Sequence, residues 1–347
     1  MKIKHSMSIL FLALCLAGCS VQKSQPKTHS VSEDFIRSTD FKLNTVVTIT
    51  IYDSQDQTLL EDCMKLCDKY EAIFSRTKKG SELYQLNHRE LPLICGKQDT
   101  YAVSEELGDL ISIGLDYAKR TDGAFDIAIA PLTDLWNFTS VTPKVPAQKD
   151  LDNALSKCGF QNVRIDGSNI AFTSPDTTLD LGGIAKGYIA DQIKEYLLSK
   201  DIQSAVISLG GNIVCIGCKP DGTPFKIGIQ KPFADRNETA AVMDIRNKSV
   251  VSSGIYERFF EKDKTLYHHI LNPADGYPYK NDLIAVTIIS DKSVDGDALS
   301  TACFALGYKK GMEYVNKLKD VQAVFITEDY ELHYTENFHE NIPLLAN

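Results

Sequence analysis

Asp180-Leu-Gly-Gly-Ile-Ala-Lys-Gly-Tyr188 sets two adjacent glycines, then a lysine and a further glycine, at the head of an amphipathic stretch covering residues 184–198. Paired glycines before a helix let the backbone pass close to a ligand, and the first helical turn offers unpaired N–H groups to an anion. Lys186 adds a full positive charge there. These residues admit two readings: a phosphate cradle, or a tight strand-to-helix turn with a solvated lysine. The spacing is neither the Walker A pattern nor G-x-G-x-x-G, so neither of those folds is indicated. Outward from this turn, residues 45–52 and 205–209 read as strands, as do 225–230, 240–245, 266–270 and 283–289. Residues 59–74 and 104–120 have helical spacing, with Ser104 as an N-cap, and 163–172 forms a hairpin around Asp166-Gly167-Ser168-Asn169. Residues 323–327 and 331–334 close a last hairpin. Strands and helices mix without strict βαβ alternation, which predicts an α+β fold.

Three more clusters carry chemically useful groups. In Asp295-Gly-Asp-Ala-Leu-Ser-Thr301, Asp297 and Thr301 fall on one face of a helix expected over residues 297–306 and stopped by Gly307. A carboxylate and a hydroxyl on adjacent turns are hard oxygen donors suited to Mg²⁺ beside a phosphate; the same residues also fit an N-capping Asp with a buried Thr. Ser253-Gly-Ile-Tyr-Glu-Arg258 is followed by Tyr267-His-His-Ile-Leu-Asn-Pro-Ala-Asp-Gly276, where a histidine at a strand end beside a Pro/Gly loop is placed as a general base. Adjacent His268 and His269 should point to opposite faces, so at most one enters a given site. Thr121-Asp-Gly-Ala-Phe-Asp126, with Pro131, Leu132 and Trp136 after it, offers an acidic group and aromatics that suit either a ring-binding wall or core.

The 347 residues are 43% hydrophobic and 24% charged, an ordinary globular balance, and the net charge of −9 argues against binding a phosphodiester backbone. Lys2 and Lys4 precede a short apolar run over residues 9–16, too short to cross a hydrocarbon core of about 30 Å but suited to a signal peptide. Leu16-Ala-Gly-Cys19 resembles a bacterial lipoprotein lipobox, which implies removal of residues 1–18 and lipidation of Cys19. Residues 19–32 are polar and read as a tether, and 33–347 as the folded domain. The expectation is a chain anchored by lipid to a bacterial membrane, facing the periplasm. Seven cysteines remain downstream, an odd number that argues against a full disulfide framework. Cys63 and Cys67, four apart in a helical pattern, read as core. Cys215-Ile-Gly-Cys218 has redox-like spacing but precedes a turn rather than opening a helix.

Taken in order, Phe74-Ser75, Ser81-Glu-Leu83, Leu86-Asn87, Thr121-Asp-Gly-Ala-Phe-Asp126, Asp180-Leu-Gly-Gly-Ile-Ala-Lys-Gly-Tyr188 with Asp191, Ser208-Leu-Gly-Gly-Asn212, Ser253-Gly254 with Tyr256 and Arg258, His269-Ile-Leu-Asn-Pro273 and Asp297-Ala-Leu-Ser-Thr301 resemble the ApbE family of FAD:protein FMN transferases. The match runs over roughly residues 35–330. The resemblance implies an α+β, T-fold-like architecture with FAD in a central cleft and Mg²⁺ at its diphosphate. It implies transfer of FMN from FAD to a Thr or Ser hydroxyl of an acceptor flavoprotein, with release of AMP. By family position, Leu43, Thr77, Ala124, Phe125, Asp126, Asp180, Lys186 and Leu271 would contact FAD. Gly183, Asp297, Ser300 and Thr301 would hold Mg²⁺, and His269 would take the acceptor's proton. The acceptor would be a subunit of an Rnf-type or sodium-pumping NADH:quinone oxidoreductase, or another exported flavoprotein. The chain departs from the family pattern at Leu43-Asn44, where Met-Gly is common, at Asn272 in place of Asp, and at Asp275 in place of Thr. Two alternatives remain: a Mg²⁺-dependent FAD diphosphatase producing FMN and AMP, and a non-enzymatic flavin-binding lipoprotein.

Overall fold

Thr45–Ile51 alternates β-branched residues so that Val47, Ile49 and Ile51 all turn inward and are fully buried. The strand belongs to the large sheet of a computed structural model describing residues 35–235 and 237–345. The segments assigned to a signal peptide (1–18) and a tether (19–32), with Cys19, lie outside the described residues. Eight strands make that sheet: Ile36–Lys42, Thr45–Ile51, Ser204–Leu209, Asn212–Gly217, Ser249–Gly254, Leu283–Ser290, Gln322–Thr327 and Leu332–Tyr334. They are hydrogen-bonded in chain order, and every neighbouring pair is antiparallel. The α+β expectation is met, because long insertions carry the helices while the strands form a meander.

Both faces of the sheet are covered, which is why Leu283–Ser290 is buried along its whole length. Val286 and Ile288 face a core closed by the helices Gln57–Phe74, Glu105–Arg120, Ala185–Ser199 and Ser293–Val315. Ala285 and Ile289 face a second core against the hairpin Phe225–Gln230/Thr239–Ile245, which supplies Phe225, Ile227 and Met243. A third, smaller cluster gathers Leu132, Trp136, Leu151 and Leu271. Cys63 and Cys67 sit in the helical core and Cys215 under the hairpin; all seven cysteines described are free.

Two boundaries differ from the sequence reading, and both matter to the site. The late helix begins at Ser293, one turn earlier than expected, so Asp297 is inside the helix and is not its N-cap. Ser293-Val-Asp-Gly fell outside the expected helix, and Gly is a poor helix former, but Gly296 lies 2.7 Å from Val251 as measured to an added Cβ, and only a bare backbone fits there. Gly307 (φ 78°) interrupts the helix where the stop was expected, and a second helical segment continues to Val315. The strand expected over 266–270 is Thr265–His268, paired with Phe259–Lys262, so His269 sits just beyond the strand rather than within it.

Candidate active site

The helices Ala185–Ser199 and Ser293–Val315 approach so closely at Gly187 that an added Cβ would lie 2.3 Å from the carbonyl oxygen of Ser293. That approach creates a crossed pair of caps. The backbone N–H of Gly187, in the first turn of one helix, donates to Asp297 Oδ2 of the other at 2.6 Å. In return Asp191 accepts the N–H groups of Ser293 (2.8 Å) and Val294 (2.9 Å) at the second helix's start. A carboxylate at a helix N-terminus satisfies orphan donors and meets the positive end of the dipole. Lys186 Nζ lies 3.6 Å from Asp297 Oδ1. Burial pushes the pKa of Asp297 up, while Lys186, the Gly187 N–H and Asn212 pull it down.

One turn on, Ser300 is fully buried, and Ser253 Oγ lies 2.8 Å from its hydroxyl and 3.2 Å from that of Thr301. Asp297, Ser300 and Thr301 therefore lie on adjacent turns of one helix, with Lys186 beside Asp297. The glycine turn starts at Asp180, whose Oδ1 accepts the Gly182 N–H at 2.9 Å and whose Oδ2 faces Arg76 Nε at 3.0 Å. Arg76 also pairs with Asp134. The Phe125 ring packs over Gly183, 3.2 Å from where a Cβ would be. Asp126 is buried and accepts from Ala128 N–H (2.7 Å) and Phe160 N–H (2.8 Å); burial raises its pKa to about 6. Tyr279 donates its hydroxyl to the carbonyl of Ala124 at 3.1 Å. Leu271 is buried in the Trp136 cluster, Leu43 packs partly against the helical core, and Thr77 is exposed in the loop after Gln57–Phe74. Leu43 (φ 55°) and Asn44 (φ 56°) form the two-residue turn joining Lys42 to Thr45. Asn tolerates that conformation, which accounts for it standing where Gly is common.

The two histidines separate as the sequence required. His268 is buried, with Nε2 3.0 Å from the carbonyl of Tyr279 and its ring edge-on to Phe304; burial lowers its pKa to about 4. His269 is half-buried, and its Nδ1 lies 3.3 Å from the carbonyl of Arg258. A carbonyl only accepts, so this contact places the proton on Nδ1 and leaves the Nε2 lone pair free. Its pKa is pushed down to about 3, first by burial, then by the charges of Arg258 and a neighbouring His268, with Lys186 adding to the effect.

The donor set suits a hard cation. Among the described residues no group of three or more His, Cys, Asp or Glu is arranged to hold a metal. A single buried carboxylate with neighbouring hydroxyls instead resembles a Mg²⁺ site that takes the rest of its shell from substrate phosphates, main chain and water. Three contributors were not foreseen as site residues. Arg76 had no motif to mark it. Ser253 and Asn212 were inside quoted motifs, but only the strand pairing brings them beneath the late helix.

Comparison with known proteins identifies the fold. A sequence model described as the ApbE family matches residues 43–325. A curated FAD:protein FMN transferase of Klebsiella pneumoniae is 35% identical over 281 residues, covering 80% of this chain and 85% of that protein. One of Treponema pallidum is 30% identical, covering 98% of this chain and 95% of its own. Among solved structures, the ApbE protein of Thermotoga maritima superimposes with a TM-score of 0.78 at 30% identity, over 88% of this chain and 98% of that one. The apo flavinyl transferase ApbE of Pseudomonas stutzeri gives 0.77 at 26% identity, over 88% and 96%. On these matches this chain is a member of the ApbE family.

Proposed function

We propose that the protein is a Mg²⁺-dependent FAD:protein FMN transferase. It moves FMN from FAD to a Thr or Ser hydroxyl of an acceptor flavoprotein, leaving a phosphoester-linked FMN and releasing AMP. The observation that supports this reading best is the convergence of Lys186 and the first turn of Ala185–Ser199 on Asp297, beside Ser300 and Thr301. A dinucleotide's diphosphate needs both positive charge and hard oxygen ligands for its cation, and these two elements supply them together. Gly183, Asp297, Ser300 and Thr301 would hold Mg²⁺, which when bound supplies charge neutralisation at the diphosphate. Phe125, Ala124, Asp126, Asp180, Thr77, Leu43 and Leu271 would line the FAD.

Lys186 then stabilises negative charge as it develops on the transferring phosphorus and on departing AMP. His269, kept neutral by its lowered pKa, accepts the hydroxyl proton at Nε2 while the acceptor oxygen bonds to phosphorus and the bond to AMP breaks. A pKa near 3 makes a weak base, but the anionic diphosphate raises it when FAD is bound.

The lipobox supports placement of the protein on the periplasmic side of a bacterial membrane, held by lipid on Cys19. A respiratory subunit of the Rnf type or the sodium-pumping NADH:quinone oxidoreductase would then be within reach as acceptor. Purified protein incubated with FAD, Mg²⁺ and candidate acceptor should give an acceptor band that fluoresces as flavin on a denaturing gel. FMN and AMP accumulating at the same rate without acceptor, with no labelled band, would replace the transferase by a diphosphatase. Replacing Cys19 with Ser should release the protein from membranes.

A further inference from the structure

Asn212 begins the strand Asn212–Gly217, just after the Gly210-Gly211 turn, and is buried to 2% exposure. Its side chain is oriented by a directional run of hydroxyls. Ser249 Oγ donates to Ser293 Oγ at 2.9 Å, and Ser293 Oγ donates to Asn212 Oδ1. All three residues are buried. Because Oδ1 is the acceptor of Ser293, the amide NH₂ is turned the other way. Among the described residues, Nδ2 has no hydrogen-bond partner. A buried donor without an acceptor is uncommon, since leaving one unpaired is unfavourable.

The helix face that Asn212 meets carries Asp297. Ser293 and Asp297 are four apart on one helix, hence on the same side of it, and Asn212 meets that side at Ser293. The Asp297 oxygens are meanwhile drawn toward Gly187 N–H and Lys186.

We propose that Asn212 is a positioning residue for Asp297: the Ser249–Ser293–Asn212 relay presents an N–H that fixes the rotation of the carboxylate when it turns to a divalent cation. This rests on the metal role of Asp297 proposed above. A second set of groups that orients a ligand commonly controls metal affinity by about 10–100-fold.

The test uses the full chain with Mn²⁺ as a paramagnetic stand-in for Mg²⁺. Free Mn²⁺ is followed by electron paramagnetic resonance, with and without ADP as diphosphate. Asn212→Leu, near in shape but without the amide, should bind Mn²⁺ about 10–100-fold more weakly. FAD affinity in EDTA should stay at the wild-type value, and transfer should recover at high Mg²⁺. Ser293→Ala leaves Asn212 in place but unoriented, so it should weaken Mn²⁺ in the same direction by less, and it serves if Asn212→Leu misfolds. Wild-type Mn²⁺ affinity in both variants would overturn the proposal while leaving the metal site standing. Failure of the wild-type chain itself to bind Mn²⁺, with Asp297→Asn unchanged from it, would overturn both.

Discussion

His269 and His268 are adjacent in sequence, yet their surroundings give them different chemistry. His268 has both ring nitrogens engaged, Nε2 to Tyr279 and Nδ1 accepting from Ile270 N–H at 3.3 Å, and is committed to packing. Among the described residues, His269 has one engaged nitrogen and one free. Replacing His269 by Ala should therefore leave FAD affinity within about twofold while single-turnover transfer falls by roughly 10²–10⁴; stopped-flow flavin fluorescence reads both. Because its free-enzyme pKa is shifted to about 3, His269 should contribute no loss of kcat/KM between pH 7 and 5. An acid limb near pH 6.5 that vanishes in the Ala variant would contradict that. Asp297→Asn keeps an acceptor for Gly187 N–H but loses the charge opposite Lys186, so Mg²⁺-dependent transfer should be abolished with folding intact. The residue types of this site were legible from sequence, because chemistry restricts them. Which of the two imidazoles keeps a free nitrogen came only from family position, since it depends on which carbonyl each imidazole meets.

The crossed caps belong to the element scale. Each helix start is satisfied by a carboxylate from the other helix, so the pair docks in one register only. Gly187→Ala should force Ser293 and Val294 away, because its methyl would lie 2.3 Å from one carbonyl oxygen and 2.6 Å from the Val294 Cα. We expect a loss of about 1–3 kcal/mol in chemical denaturation together with lost transfer, since the shift pulls Asp297 off Gly187. Arg76→Ala removes the tie between the loop after Gln57–Phe74, the Ala130–Trp136 helix and the glycine turn. It should raise the KM for FAD more than it lowers kcat. Helices with clean periodicity could be read closely: Glu105–Arg120 with its Ser104 cap to the residue, and Gln57–Phe74 apart from its first two residues. Ile36–Lys42 could not. Its sequence Ile-Arg-Ser-Thr-Asp-Phe-Lys buries only Ile36, because it is an edge strand whose other apolar residue, Phe41, is exposed. The start at Ser293 was hidden for a similar reason: the site demands Gly and Asp where a free helix would not place them.

At the scale of the whole molecule, the same burial that shapes the site fixes how stability responds to acid. His268 and His269 have pKa values lowered to about 4 and about 3, so from pH 6 down to about 4 they are charged in the unfolded chain and neutral in the folded one. Each then binds a proton on unfolding, and its contribution to stability is lost as pH falls. Asp126 and Asp191 have pKa values raised to about 6, both chiefly by burial, so they are protonated when folded and ionised when unfolded over the same range. Each releases a proton on unfolding, and its contribution is lost as pH rises. Two protons bound and two released cancel, and these four groups together give almost no pH slope between about pH 4 and 6. Removing one member should expose the other side. Relative to wild type, His268→Gln should gain stability as pH falls through this window, by about 1.4 kcal/mol per unit, and Asp191→Asn should lose it by a similar amount. Urea titrations at pH 4.5, 5.25 and 6 in the two variants separate these slopes from the background of surface carboxylates, which all three proteins share. Parallel slopes would show that the sheet and its two cores do not hold these groups in the protonation states that the acid–base assignment at the site requires.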